Sequence, residues 1–431
     1  MNAFDKVIGY ASIKRDLIRI ADTLKNTDVY RALGANAPNG LLLYGEPGVG
    51  KSLMAKCLIE ASGRKTFICR KTEPNGEFVK TIKDTFDAAA ENAPSIVFMD
   101  DMDKFANDDS SHRDSEEYVA VQACIDEVKG KDVFILATAN DVGKLPRSLT
   151  RAGRFDQSIN VRAPRGKDAE DIISHYLSKK KLCEDIDPKT VASILGGRSC
   201  AVLETVINEA GLLAGYSRAE HITMEHITQA CLLIEYKLAP GEHVPIDLSA
   251  ESNNSLLVYH ESGHAAASEL LSPGSVSLVI AHFEDGDGTG ITQSRAKGSI
   301  HRLSDMEYNI LVSLAGRAAV EIRFGTFDVG SSQDIDEAFS LIDYMENDLC
   351  FSGFDLYRSD THRDSNELMA RQEAVAAADM ARYYQKVKEL LVKNRAFLDA
   401  VAHALAKKGV LVSEDMKSLR ESCAVSKTAV A

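Results

Sequence analysis

The sequence predicts an α/β domain built on a parallel sheet and covered by a helical lid, followed by a second, mainly α-helical domain. Three observations predict it. Apolar strand-like runs alternate with helical periodicity over the first 165 residues; a glycine-rich loop follows the first run; and an HExxH sequence lies in a helical stretch of the second half.

Three strand-like runs carry the first domain. Gly40-Leu41-Leu42-Leu43-Tyr44, Ser95-Ile96-Val97-Phe98-Met99 and Val133-Phe134-Ile135-Leu136-Ala137 are continuous apolar runs, as expected of strands buried on both faces. Strands separated by helices imply a parallel sheet whose ligands sit at its carboxyl edge. Residues 1–165 therefore form the α/β domain. From 166 to 238 only helical periodicity remains, at 168–179, 187–195, 201–217 and 223–235, which gives the lid.

Two prolines and a glycine (Pro240, Gly241, Pro245) mark residues 239–250 as a linker. The second domain is expected over 251–415, its helices interrupted by a strand-like segment at 275–292, with a frayed tail at 416–431.

Composition narrows the class. The chain has 431 residues, 45% hydrophobic and 26% charged, ordinary for globular protein. Its formal net charge of −14 repels phosphate backbones and argues against nucleic acid as a partner. Eight cysteines stand singly with no C-x-x-C, which reads as reduced thiols rather than a disulfide framework. No apolar run approaches the ~20 residues that cross a bilayer, and the first residues lack a signal-peptide pattern. On this basis the chain is expected to be cytoplasmic, with no membrane segment, or membrane-attached if an amino-terminal segment has been removed.

The loop Gly45-Glu46-Pro47-Gly48-Val49-Gly50-Lys51-Ser52, with Leu53 just behind it, is a complete phosphate loop between strand and helix. Its glycines let backbone N–H groups converge on phosphate oxygens. Lys51 would place its charge on the β- and γ-phosphates, and Ser52 would hold Mg²⁺. ATP and Mg²⁺ are thus expected ligands. Asp100 ends the next strand, where a carboxylate can hold the Mg²⁺ water shell, and Asp101 follows it. Asn140 ends the third run, where a polar amide suits the γ-phosphate or its attacking water.

In His260-Glu261-Ser262-Gly263-His264, the two histidines fall one helical turn apart and can share one Zn²⁺. Glu261 is then the expected catalytic base. A third ligand is needed, and the segment 331–337 offers Asp334, Asp336 and Glu337, among which spacing does not choose.

The first half resembles the AAA+ ATPases, in which Asn140 would be a γ-phosphate sensor. In that resemblance Arg151 and Arg154 of Arg151-Ala152-Gly153-Arg154 would be fingers reaching a neighbouring subunit's nucleotide. Taken together, the two halves resemble the FtsH-type AAA+ zinc metalloproteases over nearly the whole chain. Tyr259-His260-Glu261-Ser262-Gly263-His264-Ala265, Leu314-Ala315-Gly316-Arg317-Ala318-Ala319 and Gly330-Ser331-Ser332-Gln333-Asp334-Ile335 carry the likeness.

The resemblance implies that Asp334 is the third zinc ligand and that Ile8 and Gly9 lie near the adenine. It also implies a hexameric ring that unfolds and threads unfolded or tagged polypeptides into a proteolytic chamber. Substrate would pair along the segment 278–292. There are three departures from the family pattern. Its amino-terminal membrane segment is not present here. Asp101 stands where glutamate is usual. The pore grip would fall to Phe78 and Val79, with Lys80 in place of glycine, the alternative being a plain packing role for Phe78. The last two departures motivate an alternative, a nucleotide-gated peptidase or remodelling chaperone with a weak threading motor.

Overall fold

The computed structural model describes residues 3–71, 77–105, 115–151, 153–184, 186–238, 243–284, 287–294, 302–327, 329–354, 366–423 and 425. The chain divides into two compact units, Met1–Lys237 and Leu238–Ala431.

The first unit holds β1 (Gly40–Tyr44), β2 (Lys65–Cys69), β3 (Ser95–Met99), β4 (Val133–Ala139) and β5 (Gln157–Asn160). They form one sheet in the order β2-β3-β4-β1-β5, with every described pairing parallel. The three central strands are almost wholly buried, as their apolar runs require. The edge strands are partly exposed: β5 is polar, while β2 offers only the short apolar stretch Phe67-Ile68-Cys69, with Ile68 facing outward.

The connecting helices are α1 (Ala11–Lys25), α2 (Thr27–Ala32), α3 (Lys51–Ser62), α4 (Glu77–Glu91) and α5 (Ser115–Glu127). Four more complete the unit: α6 (Lys167–Leu177), α7 (Pro188–Leu195), α8 (Cys200–Tyr216) and α9 (Met224–Tyr236). Local chemistry sets their starts. Asp187, Ser199 and Thr223 each accept a backbone N–H of the first turn, and Pro188 comes directly after its cap, where a proline N–H is not missed.

The second unit contains α10 (Asn253–Leu271), β6 (Val276–Glu284), β7 (Asp287–Ser294), α11 (Leu303–Phe324), α12 (Ser332–Asn347), α13 (Asn366–Lys393), α14 (Arg395–Lys408), β8 (Val410–Val412) and α15 (Ser413–Ser422). Helix α10 starts at a reciprocal cap, Ser255 N–H to Ser252 Oγ and Ser252 N–H to Ser255 Oγ, and is buried from Val258 to Glu269. It crosses α11 so closely that a Cβ at Gly263 would lie 2.4 Å from the Ala315 carbonyl oxygen.

Three expectations change here. The segment 275–292 is a hairpin in the antiparallel sheet β7-β6-β8, so β6 is central and, among the described residues, β7 is an edge strand. The expected tail at 416–431 begins too early: α15 runs to Ser422 and Met416 is fully buried in the core. Residues 239–242 of the expected linker lie outside the described residues. From His243 the chain packs onto α14, with Ile246 N–H and the His243 ring both bonded to the Ala406 carbonyl.

Close helix crossing yields a paired prediction. Gly263→Ala should lower the stability of the second unit by about 1–3 kcal/mol, because its methyl meets backbone rather than a movable side chain. Gly215→Ala, in α8 with open space around it, should raise stability by roughly 0.5–1 kcal/mol. Thermal unfolding of the full chain should show the two shifts in opposite directions.

Candidate nucleotide site and metal centre

The carboxyl ends of β1, β4 and β3 lie side by side, and each contributes to one cluster. After β1 the chain turns through Gly45, Gly48 and Gly50, all at positive φ, before α3 begins at Lys51. The buried Lys51 ammonium donates to the carbonyls of Gly45 (2.7 Å) and Glu46 (2.9 Å) and to Asn140 Oδ1 (2.9 Å). Burial lowers its pKa, opposed by the surrounding carboxylates of Asp101, Asp103, Glu46 and Asp100.

Ser52 Oγ donates to Asp100 Oδ1 at 3.0 Å, and Thr138 Oγ1 donates to the same oxygen at 2.8 Å. Asp101 stands at φ 54°, its N–H held by Thr138 Oγ1 and its carboxylate by Lys104 at 2.7 Å. Burial tends to raise the Asp101 pKa, but Lys104 and Asn140 outweigh it and hold the carboxyl below its usual range.

This cluster borders a cleft of about 790 Å³ whose lining includes Ile8, Pro47, Gly48, Val49, Gly50, Lys51, Ser52, Leu53, Asp101 and Asn140. Gly45 and Glu46 act on the cleft through Lys51, and Asp100 acts through Ser52. Gly9, at positive φ, turns the chain so that Tyr10 N–H reaches Asp168 Oδ1 at 2.7 Å. The opposite wall comes from α6 and α8: Ile172, His175, Tyr176, Cys200, Ala201 and Glu204. Sequence reasoning missed these six, because they belong to helices whose apolar spacing reads as ordinary core.

Two of the expected site residues, Arg154 and Phe78, lie inward. Arg154 is 2% exposed and forks onto Asp126 of its own chain, at 2.6 Å and 3.2 Å. In the single chain this guanidinium is thus engaged with its own unit, whereas Arg151 is exposed. Phe78 is fully buried, edge-on to Phe105 with centroids 5.1 Å apart, and Val79 packs against the same core. Neither is an exposed grip; the first turn of α4 turns both side chains inward.

In the second unit His260 Nε2 and His264 Nε2 face each other at 2.9 Å, and Asp334 Oδ2 lies 3.2 Å and 3.5 Å from them. Among the described residues these three form a group whose ligand atoms all lie within 4.8 Å of one another. Asp334 comes from the first turn of α12. Asp336 and Glu337 border the same cleft, of about 920 Å³, but are not in that group.

His264 Nδ1 points at the Val312 carbonyl at 2.7 Å, which fixes the proton there and leaves the Nε2 lone pair free to bind a metal. Burial tends to raise the Asp334 pKa, yet the two imidazoles beside it outweigh that and keep the carboxylate charged. Two neutral nitrogens and one anionic oxygen, converging with solvent-accessible space beside them, fit zinc with an open coordination position.

Glu261 is buried beside the trio, and burial pushes its carboxyl up while both histidines oppose that. A Cβ at Gly316 would lie 2.5 Å from His264 Nε2, so only glycine leaves the rings their place.

Residues 41–163 match the family model for the ATPase family associated with various cellular activities (AAA), and 248–419 match Peptidase family M41. The ATP-dependent zinc metalloprotease FtsH of Thermus thermophilus is 30% identical over 457 residues, covering 97% of this chain and 70% of that protein. The ATP-dependent zinc metalloprotease FtsH 3 of Synechocystis sp. is 29% identical, covering 96% of this chain and 72% of that protein. The ATP-dependent zinc metalloprotease FtsH of Caldicellulosiruptor bescii is also 29% identical, covering 96% and 71%. Similarity at this level over 97% of the chain, with both family models in the same order, places this chain in the FtsH family of ATP-dependent zinc metalloproteases.

Proposed function

We propose that the chain is an ATP-dependent zinc endopeptidase that unfolds polypeptides and hydrolyses their peptide bonds. The observation that carries this reading is the convergence of His260, His264 and Asp334 beside Glu261, in a chain that also holds a complete phosphate loop. The peptidase family match favours it over a remodelling chaperone.

His260, His264 and Asp334 would hold the zinc. Bound there, zinc supplies Lewis acidity that lowers the pKa of water and polarises a carbonyl. Glu261 would take a proton from the attacking water and pass it to the departing amine. A carboxylate whose burial raises its proton affinity suits that exchange near neutral pH.

In the first unit Lys51 and the loop from Gly45 to Ser52 would receive the phosphates of ATP, with Ser52 and Asp100 holding Mg²⁺ and Asn140 at the γ-phosphate. Asp101 is one methylene shorter than glutamate, and a misplacement of about 1 Å can cost on the order of 100-fold in rate. ATP turnover should therefore be slower than a glutamate would give.

The domain scheme we propose is an α/β ATPase over 1–165, a helical lid over 166–238, a linker that begins at 239 and joins the peptidase packing from His243, and a peptidase through α15. Copies would assemble into a hexameric ring, with Arg151 reaching the neighbouring nucleotide, and unfolded or tagged polypeptides as substrates. Among the described residues no single helix is long and apolar enough to cross a membrane. We place the site of action at the cytoplasm, anchored or free.

Two predictions test the assignments. Glu261→Gln should abolish cleavage of an unfolded protein such as casein while zinc content and ATPase rate persist; cleavage that survives the change contradicts the assigned chemistry. Arg151→Ala should lower ATPase activity without altering thermal stability. Arg154→Ala should instead cost stability, by about 1–3 kcal/mol given its half-exposed partner. Equal effects of the two changes on both measurements would refute the distinction.

A further inference from the structure

We propose that Thr292 is a positioning residue for Glu261: its hydroxyl aims the carboxylate that handles protons in the cleavage step. The inference rests on the proposed role of Glu261 and goes beyond it, since nothing in the HExxH sequence points to a partner on a distant strand.

The argument begins with the strand's alternation. In β7 the residues Gly288, Gly290, Thr292 and Ser294 fall on one face, at every second position. That face lies on α10. A Cβ at Gly288 would be 2.8 Å from Leu257 Cδ2, and one at Gly290 would be 2.3 Å from Glu261 Oε1. Further along, Ser268 Oγ bonds Ser294 Oγ at 3.0 Å. The strand therefore presents no side chain where the carboxylate passes and a hydroxyl where it ends.

Thr292 Oγ1 donates to Glu261 Oε2 at 2.7 Å, and it also lies 3.1 Å from the Glu261 backbone carbonyl. A hydroxyl has one proton, so the shorter, charge-assisted contact to the carboxylate takes it. Glu261 Oε2 is thus engaged, and Oε1, over Gly290, is the oxygen left to face water and substrate. Without Thr292 the carboxylate could rotate about its last torsion, which is broad and two-fold.

Only the hydroxyl is asked to do this. The β-branched shape of Thr292 suits the strand, where it sits opposite Val279 of β6, so Thr292→Val keeps volume and strand propensity while removing the donor. Thr292→Ser keeps the donor.

The experiment uses the full chain loaded with zinc and a short fluorogenic peptide, so that unfolding of a protein substrate does not limit the rate. Thr292→Val should lower kcat roughly 10- to 100-fold, the scale of a lost hydrogen bond to a charged group, with KM, zinc content and ATPase rate unchanged. Thr292→Ser should restore most of kcat.

Wild-type kcat in Thr292→Val overturns the inference, as does a Thr292→Ser variant as slow as Thr292→Val. If Thr292→Val loses zinc, the comparison of Thr292→Ala with Thr292→Ser at equal zinc content gives the same two outcomes. An active Glu261→Gln would instead overturn the proposed function, and that result is separable from a silent Thr292→Val.

Discussion

The peptidase site depends on how closely α10 and α11 approach. Backbone meets backbone where Gly263 lies against Ala315, and the same crossing puts Gly316 against the two imidazoles. Only at that distance does the Val312 carbonyl reach His264 Nδ1 and set its tautomer. A side chain at either glycine would push the helices apart, and ring orientation, tautomer and the position opposite Asp334 would be lost together. Precision at the metal centre is thus inherited from helix packing, which is the usual way a site is held to within a fraction of an ångström.

The nucleotide cleft is built on a different constraint. Three parallel strands in register bring Tyr44, Met99 and Ala139 to one edge, so the residues just beyond them must meet. Lys51 links two of these loops through Asn140, and Asp100 gathers hydroxyls from α3 and β4. Burial of Lys51 weakens its hold on a proton and raises the value of a polyanionic ligand that restores the balance. The sheet order supplies the geometry, and the loop chemistry supplies the affinity.

Much of this is legible in the sequence because the decisive features are local. Continuous apolar runs announce β1, β3 and β4, and the phosphate loop and HExxH carry their chemistry within eight and five residues. Non-local or polar features are not legible. The edge strand β5 is too polar to give an apolar run, β2 offers only Phe67-Ile68-Cys69, and β8 is only three residues long. Sequence does not resolve Arg154 and Phe78 for one reason: a motif gives the residue type but not which way the chain turns it. Asp126 and Phe105, which hold them inward, lie 28 and 27 positions away in the chain. Thr292, 31 positions from Glu261, is hidden in the same way. Among the three acidic candidates near 334, spacing is silent, because the choice is made by where the first turn of α12 points.

Metal analysis of purified variants tests the central claim most directly. The account predicts one zinc per chain in the unaltered protein, lost in Asp334→Ala and retained in both Asp336→Ala and Glu337→Ala. Chain that binds no stoichiometric zinc, or zinc that persists in Asp334→Ala but leaves with Asp336 or Glu337, would contradict it.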